Sequence, residues 1–225
     1  YVVKNNGDGT WTVKYAPAAF VDANKNGILD EDEVVYGNLD QIFANHKAGD
    51  VHVVLTADIV ANTQVDTDAD AHYYFTTNVE EGVTMDFLFA EDWNYIQKMT
   101  LGKKITLNAD YLLAWTEFNV SGTINTDYLY TTGAETTITE TGVVNAITGD
   151  ATVQVKNGAE FTVNGTLNTS TLNVWVGESK LVVSGEKAKV DASWVDIWDG
   201  TPSVTVQNGA TLATSEDNGI KASRG

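Results

Sequence analysis

Two stretches of the chain are near copies of each other, and that repetition limits the folds open to it more than any other feature. Phe161-Thr-Val-Asn-Gly-Thr-Leu-Asn-Thr follows the template of Phe118-Asn-Val-Ser-Gly-Thr-Ile-Asn-Thr. Other short β-prone runs, Ile105-Thr-Leu, Val153-Gln-Val, Leu181-Val-Val and Val204-Thr-Val, also end in turns containing Gly or Asn. Aligned runs begin at 161, 181 and 204, and 118 to 161 spans two such steps. The period is thus roughly 20 residues, which suits one coil of a solenoid. Gly122, Gly165 and Gly185 each stand two residues after an aligned valine, Val120, Val163 and Val183. An antiparallel sandwich also uses short alternating strands, but it does not require neighbouring segments to resemble each other in register. In a solenoid, like stacks on like. The pattern therefore favours an all-β chain forming a right-handed parallel β-helix, with inward apolar ladders and with Asn125 and Asn168 bonding along the stack at a coil corner.

A solenoid cannot bury its end coils by itself. Apolar residues at Val34, Val35, Leu39, Ile42 and Phe43 fall close to helical spacing, and Gly49 ends the run, so a short helix over 34–46 is expected to cap the N-terminal end. The C-terminal stretch 214–225 is polar and offers no comparable cap, so a further domain is expected to continue there. Near the start, Asn-Gly-Asp-Gly at 6–9 between two apolar runs predicts a hairpin. Two segments result: residues 1–37, an N-terminal β segment, and residues 38–225, the β-helix with its capping helix.

The sharpest local motif is Asp22-Ala-Asn-Lys-Asn-Gly-Ile-Leu-Asp-Glu-Asp-Glu33. It matches the EF-hand calcium loop, whose alternating oxygen donors converge on one centre and whose sixth-position glycine permits a sharp turn. In that reading Asp22, Asn24 and Asn26 supply side-chain oxygens and Ile28 its backbone carbonyl. Asp30 acts directly or through water, and Glu33 closes the shell with two oxygens. The apolar run before the loop, 16–21, is too short for a helix, so the loop resembles the half EF-hands of secreted bacterial proteins, where calcium staples a loop. The alternative is an Asn/Asp-rich turn that holds no ion. A second acidic stretch, Asp66-Thr-Asp-Ala-Asp70, lacks a glycine-fixed geometry and reads better as a solvated turn.

The segment from Asp40 through Ile59, a short helix followed by Ala48-Gly-Asp-Val-His-Val-Val-Leu-Thr-Ala-Asp-Ile59, resembles the opening of parallel β-helix (pectate-lyase-like), adhesin-like surface proteins of gut bacteria. The resemblance extends over most of 38–213. It implies a secreted or cell-surface-anchored protein, and its degenerate motifs specify the fold far better than a ligand.

Aligning Thr171-Leu-Asn-Val-Trp-Val-Gly177 with Trp194-Val-Asp-Ile-Trp-Asp-Gly200 places Trp175 over Trp198 one coil apart. If Leu172, Val174, Val195 and Ile197 point inward, strand alternation sends Trp175, Trp194, Asp196 and Trp198 outward. Tyr111-Leu-Leu-Ala-Trp115 fits the same template, which adds Tyr111 and Trp115 to that face. Outward rings beside carboxylates suit sugar stacking. Packing of the tryptophans on one another or on a neighbouring domain is the competing reading.

Charge narrows the partners. The net charge is -18 and the one arginine is Arg224, so the clustered cations that phosphate binding needs are missing and nucleic acid is a poor partner. Uronic-acid polymers are disfavoured on the same ground. There is no cysteine for a disulfide or thiolate site, and no apolar run of about 20 residues to insert in a membrane. Without a leader at its start, the chain reads as a mature or excised segment. Pectate-lyase-like catalysis needs a cationic base, usually Arg or Lys, near calcium-binding acids, and the repeat region through Ala213 holds no Arg; the grouping of Asp191, Asp196 and Asp199 does not by itself make a carboxylate pair in a cleft. His46, His52 and His72 show no metal-ligand spacing. The expectation is a non-catalytic extracellular segment that presents a face to a glycan or a surface protein. The alternatives are a self-associating spacer or fibre block and, third, a polysaccharide-degrading enzyme.

Overall fold

The computed structural model describes residues 2–5, 10–14, 17–215 and 219–223. The chain is all-β, a parallel β-solenoid of about eight turns. Three sheets run along its length. One is built from Gly49–Leu55, Ala71–Thr77, 99–101, 117–120, Glu135–Ile138, Glu160–Val163, Lys180–Ser184 and Ser203–Gln207. The second stacks Ile59–Ala61, Val83–Phe87, 105–109, 123–126, Val143–Ala146, 166–169, 189–192 and Thr211–Thr214. The third stacks 94–96, 112–114, 128–132, Thr152–Lys156, 171–175, 194–198 and Ile220–Ser223. All these pairings are parallel and join each strand to its counterpart one coil away, so the continuous sheet is a stack of coils and not a barrel.

Alternation explains the core. In the second sheet Leu107, Ile124, Val144, Leu167 and Val190 lie in one register column and are fully buried, and Leu112, Leu129, Val153, Leu172 and Val195 do the same in the third. In the first sheet Phe118, Thr136, Phe161 and Leu181 follow one another. The two copies of the repeat are two coils apart, as the spacing requires, with Thr136 as the small residue between two phenylalanines. Coil lengths nevertheless differ. Asn108, Asn125, Asn145 and Asn168 are stacked neighbours separated by 17, 20 and 23 residues. The turns absorb the difference and the strands stay in register.

The asparagine column is fuller than the sequence suggests. Asn125 and Asn168 do not touch, because Asn145 stands between them: Asn168 donates to Asn145 Oδ1 at 2.8 Å and Asn145 to Asn125 Oδ1 at 3.0 Å. The chain runs on from Asn125 to Asn108 (2.8 Å) and from Asn108 to Asp86 Oδ1 (2.7 Å). An ionised carboxylate only accepts, so Asp86 fixes the direction of every donor above it. The glycine column also differs. Gly122, Gly142 and Gly165 succeed one another along the stack, each carbonyl taking the N–H of the next coil, but Ala188 and not Gly185 follows Gly165. A Cβ on Gly122 or Gly165 would lie 2.2 Å from a backbone oxygen, whereas Gly185 has open space and a turn conformation at φ 110°.

At the N-terminal end the expected helix is shorter. It spans Leu39–Asn45, with the Asn38 side chain accepting from Gln41 N at 3.0 Å. Val34 and Val35 are not helical: 35–36 form a strand antiparallel to Ala19–Val21, which in turn pairs antiparallel with Gly49–Leu55. β-Branched residues favour that conformation, and both valines point substantially into solvent. Ala19 and Tyr36 join the same core as the first coil, so the edge of that coil is closed by 17–37 as well as by the helix. Leu39 and Ile42 are fully buried, and Phe43 packs edge-on against Tyr73 at 5.0 Å. Asp40 pins the helix to the first coil by accepting from the backbone and side chains of Asn62 and Thr63. Val2–Asn5 and Trp11–Lys14 pair antiparallel as the expected hairpin, whose turn at 6–9 lies outside the described residues. In the last coil the inward positions open to solvent, with Val206 at 45% and Ile220 at 54% exposure.

Thr136 is 1% exposed, and its Oγ1 has no hydrogen-bond partner. An unsatisfied hydroxyl costs more buried than a methyl of the same shape. Thr136→Val is expected to raise the unfolding free energy by about 1 kcal/mol, measured by chemical denaturation; a loss of stability would show that the hydroxyl is satisfied in solution.

Candidate functional site

The outer face of the third sheet collects the aromatic residues. Trp175 and Trp198 are register partners with ring centroids 5.0 Å apart at 69°, and Leu172, Val174 and Val195 beneath them are buried. Trp194 occupies another column of the same face, above Thr171, Thr152, Tyr128 and Tyr111 in turn. Asp196 lies between the two columns, in register with Asn173. Trp115 is 44% exposed but falls at an irregularity between 114 and 117, where the strand bends into the first sheet, and it has no register partner there. It is thus separated from Trp175 and Trp198 by several coils.

A second cluster on this face carries residues that sequence reading missed. Trp93 packs 4.4 Å from Tyr130 and 5.4 Å from Tyr111, and Tyr111 stacks flat on Tyr128 at 5.1 Å. The signal was present in Tyr128-Leu-Tyr130, whose alternation sends both tyrosines outward. Lys156 joins the two clusters: its ammonium lies 4.8 Å from the Tyr130 ring centroid, and its backbone is in register with Trp175. Burial and then the neighbouring Tyr128 raise the Tyr130 phenol above its ordinary pKa, so it stays a neutral hydroxyl.

At the margin of this face the coils turn through stacked left-handed pairs: Asn157-Gly158, Val176-Gly177 and Asp199-Gly200, whose first residues have φ of 56°, 55° and 62°. Asn and Asp tolerate this conformation, whereas a β-branched residue is strained in it. Val176 is also exposed, beside Trp198 at 37% exposure. Behind this edge, Trp175 Nε1 and one Asp196 carboxylate oxygen are shielded from solvent without a hydrogen-bond partner.

The 22–33 loop lies at the other end of the molecule, where Asp22 N donates to His52 O and Asn78 Nδ2 to Gly27 O. Asp22 is buried, and its two carboxylate oxygens accept from the backbone of Asn26 and Gly27. Glu33 spans the loop by accepting from Ala23 N and Asp30 N. Asn24 and Asn26 direct their amide nitrogens to Asp30 Oδ2, at 2.6 and 2.9 Å. Asp22, Asn24, Asn26, Asp30 and Glu33 are therefore drawn into one loop, with Ile28 contributing backbone there. Among the described residues, however, no three His, Asp or Glu side chains converge on a metal-sized point. The donors are hard oxygens, the chemistry calcium prefers, but an ion requires the two amides to turn their oxygens inward.

Other candidates are dispersed. Asp191 on the second sheet pairs with Lys189, Asp196 is on the third sheet, and Asp199 is in a turn. His52 and His72 stack on the two faces of Tyr74 at 4.6 and 4.1 Å. Burial lowers the His46 pKa, and its ring meets Tyr36 Oη at 2.6 Å, so it closes the helix as a neutral partner and not as a cation facing the helix dipole. Asp68 closes a turn by accepting from Asp70 N.

Relief of backbone strain gives a direct check on the margin. Val176→Asn is expected to stabilise the fold by about 1 kcal/mol, read as a higher melting temperature; a lower one would show that packing of the valine outweighs its backbone cost.

Comparison of the chain with protein-family models, with curated proteins and with solved structures returns no match, so its functional reading stands on its own geometry.

Proposed function

We propose that the chain is a non-catalytic, extracellular, adhesin-like module of a secreted or surface-anchored protein, holding a binding face for a glycan or a surface protein. The observation that carries this reading is the strip from Trp93 through Tyr130 and Lys156 to Trp175 and Trp198. Large rings that a solenoid core does not require stand outward on it, ending at a strained, exposed valine. Aromatic faces of this kind meet the apolar faces of sugars or of partner side chains, and Asp196 adds an acceptor. The rigid stack keeps the rings fixed, so little conformational entropy is lost on contact.

The strip is tested on an array of short glycans and immobilised surface glycoproteins. Wild-type protein is expected to bind at least one of them, and Trp175→Ala with Trp198→Ala to lower that signal at least tenfold. Equal signals would remove the tryptophans as a contact.

In this reading the 22–33 loop takes one structural Ca²⁺ through Asp22, Asn24, Asn26, Asp30, Glu33 and the Ile28 carbonyl. The ion would neutralise carboxylates beside the first coil and stiffen the N-terminal closure. A ligand bound only to the folded state stabilises it. The melting temperature is expected to fall by several degrees on chelation and to return with excess Ca²⁺; a melting curve unmoved by chelator removes the assignment.

A further inference from the structure

A cleft follows the asparagine ladder at the bend between the second and third sheets. It has a volume of about 520 Å³ and is lined by the ladder residues Asn108, Asn125 and Asn145, by Asp110 and Asp127 at the corner, and by Ile147. Ile147 also lines a second cleft of about 250 Å³ that continues past Asn168 and Asp191 to the last coil. At about 4.8 Å per stacked strand, the two clefts together run on the order of 25 Å along the solenoid.

The ladder leaves this trough chemically active. A primary amide has two N–H donors and two acceptor lone pairs, and the ladder uses one of each on Asn108, Asn125 and Asn145. One donor and one acceptor site per coil therefore remain, repeated at the strand spacing. No hydrogen bond from the described residues reaches the Asp110 carboxylate, and Asp127 accepts from Thr148 with capacity to spare. Ile147 is 61% exposed, a large apolar side chain that joins Ala109 in lining the trough beside the amides.

A periodic row of donors and acceptors with an apolar platform matches a periodic ligand rich in hydroxyls. The two aspartates and the net charge of -18 repel a polyanion. We propose that this cleft binds a neutral polysaccharide chain lying along the solenoid axis, its hydroxyls held by Asn108, Asn125, Asn145, Asp110 and Asp127 and one ring face resting on Ile147. The inference rests on the reading of the chain as a binding module, but it does not rest on the tryptophan strip, whose Trp175 and Trp198 occupy the opposite margin of the third sheet.

The test is affinity electrophoresis of the whole chain in gels containing a soluble β-glucan, xylan, galactomannan or dextran, with polygalacturonate as the anionic control. Ile147→Arg fills the cleft from an exposed position, and Asp110→Asn with Asp127→Asn removes the charged acceptors; circular dichroism checks that each variant folds. Retardation by at least one neutral polysaccharide and none by polygalacturonate is expected, with Ile147→Arg weakening it at least tenfold. The Trp175→Ala with Trp198→Ala variant is run beside it to separate the cleft from the strip. Retardation unchanged in Ile147→Arg overturns the proposal, and if the tryptophan variant alone loses binding, the strip is the site. Absence of retardation by any of the four neutral polymers overturns the cleft alone, since the strip is read on the array.

Discussion

Every other feature of this molecule depends on parallel backbone pairing between successive coils. Once one strand lies on the equivalent strand below, each residue is committed to the company of its counterpart, and the identity of a position is set along the axis as much as along the chain. Apolar columns become a continuous core because Leu107, Ile124, Val144, Leu167 and Val190 have no other place to go. The same constraint sets polar groups in rows on the outside. Variation is pushed into the turns, where coils gain or lose residues without disturbing the strands. The two outer features with chemistry to offer, the aromatic strip and the amide-lined cleft, are thus products of the same stacking rule, and they lie on either side of one sheet.

Much of this arrangement was legible because a solenoid writes its contacts at a fixed interval. The pairing of Trp175 with Trp198 and the inward direction of Leu172 and Val195 follow from alignment alone. The intermediate coil was harder to see. Its first-sheet strand carries Thr136 where its neighbours carry phenylalanine, and the turn from 147 to 151 is longer, so Asn145 and Gly142 did not register as members of their columns. Trp93 was invisible for another reason: it precedes its strand, and only the closure of the coil brings it against Tyr130. The helix was overextended because Val34 and Val35 satisfy a helical spacing by chance, while β-branching and the available edge at Ala19–Val21 draw Val35 into a strand and Val34 into a backbone bond with Val21. Those errors share a cause, since periodicity along a short window does not know which neighbouring edge is vacant.

Several elements close the first coil. At the N-terminal end an antiparallel strand pair, a helix with buried Leu39 and Ile42, and the carboxylate of Asp40 all converge on the first coil. Burial alone would raise the Asp40 pKa, but the hydrogen bonds from Asn62 and Thr63 outweigh it and hold the pKa below its ordinary value. This clasp contributes stability above the ordinary carboxylate range and loses it as the pH falls through the lowered value.

The asparagine column also has a beginning and an end written in charge. Asp86 only accepts and Asp191, above Asn168, cannot donate in its ionised form, so the run of amides between them has a single sense and two closed termini. A coil inserted inside that run and carrying asparagine at the corner would find a donor on one side and an acceptor on the other, whereas an asparagine in the coil above Asp191 would find a carboxylate that accepts from it but cannot donate to Asn168 below, so it would start a new run. Duplication within the run therefore lengthens it without a break, and the two aspartates act as bookends that make the length of this shelf adjustable from within.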